Sequence, residues 1–205
     1  MDSINRIKDI KELATTKFLS LYEMKYINKV GNLKSWTVAS RKSLSKLRDH
    51  HFNGENEGLD AVVICAVHEK EQKLVMIKQF RVPVNDYMYE LPAGLIDEGE
   101  DLHTALQREL KEETGLSLEK IDSSRKITPV YASGGMTDES LAIVFCSCSG
   151  KTTTEFLEED EDLEVVMLSQ DEASKLLEEG VKMDAKAYLA LEMFSSIGIK
   201  ILKSL

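Results

Sequence analysis

"GLIDEGEDLHTALQRELKEETGL", residues 94 to 116, decides how the rest of the chain is read. Its middle predicts a helix beginning near Asp101 and running through Thr114, with Gly115 where a left-handed cap is expected. At 3.6 residues per turn, Leu102, Ala105 and Leu106 form one apolar stripe. The stripe continues through positions 109, 110 and 113, and two of these are glutamates. A carboxylate on a packed face costs several kcal/mol unless something positive compensates it. Arg108 is adjacent, but each residue step turns about 100° round the helix, so it cannot serve both Glu109 and Glu113 from the inner face. A hard divalent cation can: the two glutamates are one turn apart, Glu112 flanks them, and Mg²⁺ takes a few carboxylate oxygens. The plainer alternative is a helix whose last turn and a half emerges into solvent. The helix alone leaves both readings open.

The bulk composition bounds the answer. At 205 residues and 42% hydrophobic content, the chain fits one ordinary globular domain, or one domain with a small appendage. The 26 basic and 36 acidic residues give a net charge of −10, which argues against nucleic-acid backbone as the main partner. An acidic protein can still handle a phosphorylated small molecule if a divalent cation stands between the two negative partners. Cys65, Cys146 and Cys148 all fall in apolar runs. They read as buried free thiols, which suits a reducing cytoplasm. The charged N-terminus has no apolar signal-peptide core, and no run approaches the ~20 apolar residues needed to span a bilayer.

Outward from the helix, Ile4, Ile7, Ile10 and Leu13 recur about every third residue and predict a short N-terminal helix. "FLSLYEMKYI" and "SWTVAS" read as strands around a turn, and residues 43 to 58 as a polar loop and candidate boundary. "LDAVVICAVHE", "KLVMIKQFRV", "YMYELPAG", "SLAIVFCSCSG" and "EVVMLS" read as further strands. Ser169 with Glu172 forms a capping box, and Asp184 caps a last helix. Strands with interspersed helices predict a mixed α/β sandwich.

The residues before the helix resolve the opening ambiguity. From Gly94 the pattern is five residues, Glu100, seven residues, then Arg108-Glu109-Leu110-Lys111-Glu112-Glu113-Thr114-Gly115-Leu116. This resembles the Nudix box at every specified position, a coincidence expected by chance roughly once in a million chains or less. The resemblance implies an α/β/α Nudix sandwich with a mixed sheet. It also implies hydrolysis of a nucleoside diphosphate linked to another moiety, by water attack on a pyrophosphate phosphorus. Glu109, Glu112 and Glu113 fall on the family's metal-ligand positions, with the Ala93 carbonyl as a further ligand. Mg²⁺ is the implied ion, with Mn²⁺ as an alternative. Glu100 and Arg108 are expected to brace the loop and helix through a salt bridge.

Similarity outside the box narrows the substrate class. "IKQFRVPVNDYMYELPAGLID" resembles the entry to the box in ADP-ribose pyrophosphatases, which makes Arg81 a phosphate-contacting arginine. "VYASGGMTDE" resembles their downstream loop, where Ser133, Gly135 and Glu139 match while Gly134 stands in place of a proline and loosens the turn. The acidic stretch "LEEDEDLEVVML" resembles the mobile loop that supplies a base, with Glu159 as first choice and Glu161 as metal ligand or alternative base. The N-terminal segment, residues 1 to 44, resembles a β-rich extension exchanged across a homodimer, with residues 45 to 205 as the Nudix domain. In that segment Arg41 fits the arginine, and Phe18 or Trp36 the aromatic, that grip the adenine end. The implied activity is conversion of ADP-ribose or a related ADP-sugar into AMP and a sugar phosphate. Another nucleotide sugar or dinucleotide, or a nucleotide-sensing module without turnover, are the alternatives.

Overall fold

The computed structural model describes residues 5–55, 58–157, 159 and 161–203. The chain divides into two compact units, Met1–Asp60 with Pro129–Leu141, and Ala61–Thr128 with Ala142–Leu205.

The first unit is built on an antiparallel meander of β1 (Ile7–Thr15), β2 (Ser20–Ile27) and β3 (Leu33–Ser40). The N-terminal helix expected from the apolar spacing is therefore a strand, and Ile4 lies outside the described residues. The reason is a register irregularity between Ile7 and Asp9, which inserts one extra residue into β1. Ile7 then pairs with Tyr26 and Ile10 with Met24, so residues three apart reach the same face. That spacing mimics a helix. Residues 43 to 58, read as a loop, contain a short helix α1 (Leu44–Arg48), capped by Ser43 and anchored by fully buried Leu47. Leu47 packs with Ile10, Tyr22 and Met24 as a small core. β9 (Val130–Tyr131) pairs with the first two residues of β10 (Ser140–Ser149).

In the second unit every residue of β4 (Ala61–His68) is buried, as a strand covered on both faces requires. β5 (Lys73–Arg81) pairs with β4 only at Leu74–Val67 and Lys73–His68, after which the two strands part. The chain between them fills the wedge. β6 (Asp86–Glu90) pairs along β5, and β7 (Ala93–Leu95) pairs along β4. β11 (Leu163–Leu168) lies on the other edge of β5, and β8 (Ser117–Ile121) on β10. The sheet order is β11-β5-β4-β10-β8. α2 (Leu102–Thr114) packs against β4 and β7, while α3 (Gln170–Glu179) and α4 (Ala185–Ile197) pack on each other and on β11, β5 and β6. This is the mixed α/β sandwich expected from the sequence.

The local stops and starts hold. Asp101 accepts from the backbone of His103 and Thr104 at the start of α2, and Gly115 closes it at φ 75°. The capping box at Ser169 forms both of its bonds, and Asp184 caps α4. Cys65, Cys146 and Cys148 are buried and free. Among the described residues no helix is long and apolar enough to cross a membrane.

Candidate active site

The stripe on α2 is as unusual in space as in sequence. Ala105, Leu106 and Leu110 are fully buried, and Glu109 and Glu113 continue inward at only 8% and 4% exposure. His103 is exposed on the outer side. Arg108 brackets the helix from one flank. Its guanidinium donates to both oxygens of Glu100 at 2.9 and 2.8 Å, to the Leu95 carbonyl at 2.9 Å, to Glu109 at 2.7 Å and to Glu112 at 3.1 Å. The expected Glu100–Arg108 brace is therefore present, and it extends to the neighbouring glutamates.

No bond from Arg108 to Glu113 accompanies these. A Glu113 oxygen accepts instead from the Ala93 N–H at 2.9 Å, where the wedge delivers β7 to the helix. Burial, followed by the charges of Glu109 and Glu161, pushes the Glu113 carboxyl up to about 8 despite that bond and the charge of Arg81. Burial likewise raises Glu109, with Arg108 opposing and Glu112 and Glu161 adding to the rise. Such shifts mark an acidic pocket short of positive charge. Gly94 completes it: a Cβ at that position would run into the Glu109 carboxylate.

These groups suit a hard divalent cation, since the donors are carboxylate oxygens and their charge is incompletely balanced. In the present arrangement Arg108 engages Glu109 and Glu112, and no cluster of three acidic, His or Cys side chains encloses an ion site among the described residues. A cation would replace some of those bonds.

Arg81 lies on the same unit and grips Glu90 through two bonds of 2.6 and 2.8 Å. Its charge is also felt by Glu113. Glu90, 8% exposed, was not singled out in the sequence; its signal is a lone carboxylate in the apolar run "YMYELP". On the acidic stretch, Glu159 is exposed and Glu161 half-buried. Of the two, Glu161 is the one whose charge reaches Glu109 and Glu113. Glu158 and Asp160 lie outside the described residues.

The first unit gathers the other expected residues. Arg41 donates to Glu139 at 2.8 Å, and the Trp36 indole N–H donates to the Gly135 carbonyl at 3.1 Å. Trp36, Tyr131, Gly134 and Gly135 help line a cavity of about 290 Å³. Phe18, the other candidate aromatic, is 67% exposed and does not line it. The loop around Gly134 is closed by bonds from the Met136 and Thr137 N–H groups to the Ser133 carbonyl, at 2.8 and 2.9 Å. Beside it Lys42 bridges Asp60 and Asp138 at 3.0 and 3.1 Å, a cluster with no local sequence signal.

Comparison with known proteins fits this geometry. The model of the Nudix domain family matches residues 58–191. The chain belongs to the Nudix family. An ADP-ribose pyrophosphatase of Saccharomyces cerevisiae (strain ATCC 204508 / S288c) is 33% identical over 190 residues, covering 87% of this chain and 78% of its own. A second, from Bacillus subtilis (strain 168), is 37% identical over 133 residues, covering 64% of this chain and 70% of its own. Among solved structures, one described as "Crystal structure of ADP compounds hydrolase" superposes with a TM-score of 0.67 at 19% identity, covering 94% of this chain and 95% of its own. At that identity the likeness speaks for the fold. The Nudix box is thus the loop, helix and cap between Gly94 and Leu116, and the chain is a Nudix hydrolase, as the signature implied.

Proposed function

We propose that this Nudix hydrolase is a divalent-metal-dependent pyrophosphatase that cleaves ADP-ribose, or a closely related ADP-sugar, into AMP and a sugar phosphate. The observation that carries the reading is the buried, under-compensated pair Glu109 and Glu113, on which the charge of Glu161 also bears. Glu109, Glu112, Glu113, Glu161 and the Ala93 carbonyl would hold Mg²⁺ or Mn²⁺. When bound, the cation neutralises the diphosphate and makes water a better nucleophile.

The chain's own residues supply the rest. Glu161 takes the proton of the attacking water, with Glu159 as the alternative on the same loop. Arg81, held in direction by Glu90, offers its exposed N–H edge to a phosphate oxygen. Arg108 stays on the flank and fixes the helix to the loop, so that the glutamates keep their spacing. In the first unit Trp36, Gly135, Arg41 and Glu139 would take the nucleoside end. The relatives named as ADP-ribose pyrophosphatases support that substrate. Gly134 in place of a proline favours some latitude in the sugar half, and with it a second reading as a hydrolase of another nucleotide sugar. The β-rich extension of residues 1 to 44 would join two copies as a homodimer, and the three free thiols suit a reducing cytoplasm.

The test is direct. Purified protein with Mg²⁺ is offered ADP-ribose, ADP-glucose, NADH, a dinucleoside polyphosphate and coenzyme A, and products are separated by chromatography. AMP from ADP-ribose, abolished in Glu113→Gln, is the expected result. Binding without turnover of any of them would replace the enzyme by a sensor.

A further inference from the structure

The acidic stretch before β11 is tied down at both ends. At its start the Lys111 ammonium lies 5.0 Å from the centre of the Phe156 ring, while donating to the Gly115 carbonyl at 2.8 Å. Lys111 occupies one of the unspecified positions of the Nudix box, so the signature does not demand it. At the far end Asp162 is held twice. Its carbonyl accepts from the Phe80 N–H at 2.9 Å, and its carboxylate accepts from the Tyr87 hydroxyl at 2.6 Å. Phe80 and Tyr87 are cross-strand neighbours with ring centres 5.6 Å apart.

The anchor also has a direction. Successive residues of an extended chain turn to opposite faces. Leu163 pairs with Gln79 and the Asp162 carbonyl meets the Phe80 N–H; the same register carried one residue back sets Glu161 opposite Arg81, and the charge of Glu161 bears on the box glutamates. We propose that Tyr87 is a positioning residue for the reaction: through its bond to Asp162 it sets where the Glu161 carboxylate stands relative to the Nudix box. The proposal rests on Glu161 being a working group of the proposed site. Fold stability alone gives the bond little purpose, because Tyr87 and Asp162 are both exposed and exposed ionic contacts contribute little to folding. Its short, charge-assisted geometry suits holding a direction instead.

Tyr87→Phe removes the hydroxyl and keeps the ring against Phe80. In metal-free protein, amide exchange of Phe80 and of residues 161–162 should quicken several-fold, while β4 exchanges as before. With Mg²⁺ and ADP-ribose, kcat should fall by about tenfold or more, as misplacing a reacting group does, with KM within about twofold. Asp162→Asn should do the same more weakly. In the double variant Tyr87→Phe/Glu161→Gln, turnover should be no lower than in Glu161→Gln alone, because Tyr87 acts through Glu161. Penalties that add in full, an effect on KM alone, or an unchanged kcat would overturn the proposal. If the wild-type chain turns over no substrate, the functional reading falls separately and the exchange experiment decides the anchor: unchanged exchange overturns it, and faster exchange supports it.

Discussion

Each unit of the chain gathers a group of acidic side chains, and the two groups differ in one ingredient. In the first, Lys42 stands between Asp60 and Asp138 with its own side chain only 12% exposed. Burial alone would lower the Lys42 pKa, but its bonds to Asp60 and Asp138 outweigh that and raise it. In the second, Glu109 and Glu113 lie deeper, Arg108 bonds Glu109 but not Glu113, and Glu161 adds a further negative charge. A carboxylate pair that folds around its own cation is largely compensated. A pair with no cation between its members is short of positive charge, and the sign of the deficit names a cation.

The contrast can be broken by exchanging the roles of the two groups. Glu113→Gln should lower turnover by at least about a hundredfold, the upper range for groups that tune a metal site, yet leave the metal-free protein more stable at neutral pH. A thermal scan in chelator beside a rate assay in Mg²⁺ reads both. Lys42→Met should do the reverse to stability and cost roughly 3 kcal/mol, because two carboxylates lose their shared cation; urea titration measures it.

A pH series sharpens the comparison. The folded pKa of Glu113 is raised to about 8, so the stability linked to it is fully present below the unfolded carboxylate range near 4.5. It is lost as pH climbs through 8. Metal-free wild type should therefore lose a few kcal/mol relative to Glu113→Gln between those limits, and added Mg²⁺ should restore part of it. Lys42, also raised, keeps its contribution across this window and gives it up only in strong alkali. A smaller effect belongs to Arg108→Lys. A lysine cannot reproduce the two-pronged grip on Glu100, and the expected loss is about 1–2 kcal/mol of stability, with activity falling by severalfold.

What the sequence revealed followed the range of the interactions. α2 was readable because its cap, stripe and C-terminal glycine lie within a few turns of one another. The inward glutamates were readable for the same reason. β1 was misread because a bulge converts the two-residue period of a strand into the three-residue spacing of a helix. The Tyr87–Asp162 and Lys42–Asp138 bonds join residues 75 and 96 apart in the chain. No local pattern announces such pairs. They exist only once β5, β6 and β11, or β3 and the loop before β10, have been assembled.

Gly94 adds a last point. Its backbone is not among those with positive φ, so the conformation alone would tolerate an ordinary side chain. What it supplies is vacancy, a methyl-sized space occupied by the end of Glu109. Gly94→Ala should therefore separate folding from chemistry: the flexible carboxylate swings aside, thermal stability moves by less than about 1 kcal/mol, and the response of the melting temperature to Mg²⁺ fades. The first letter of the signature is thus a hole kept open for another residue's oxygen atoms.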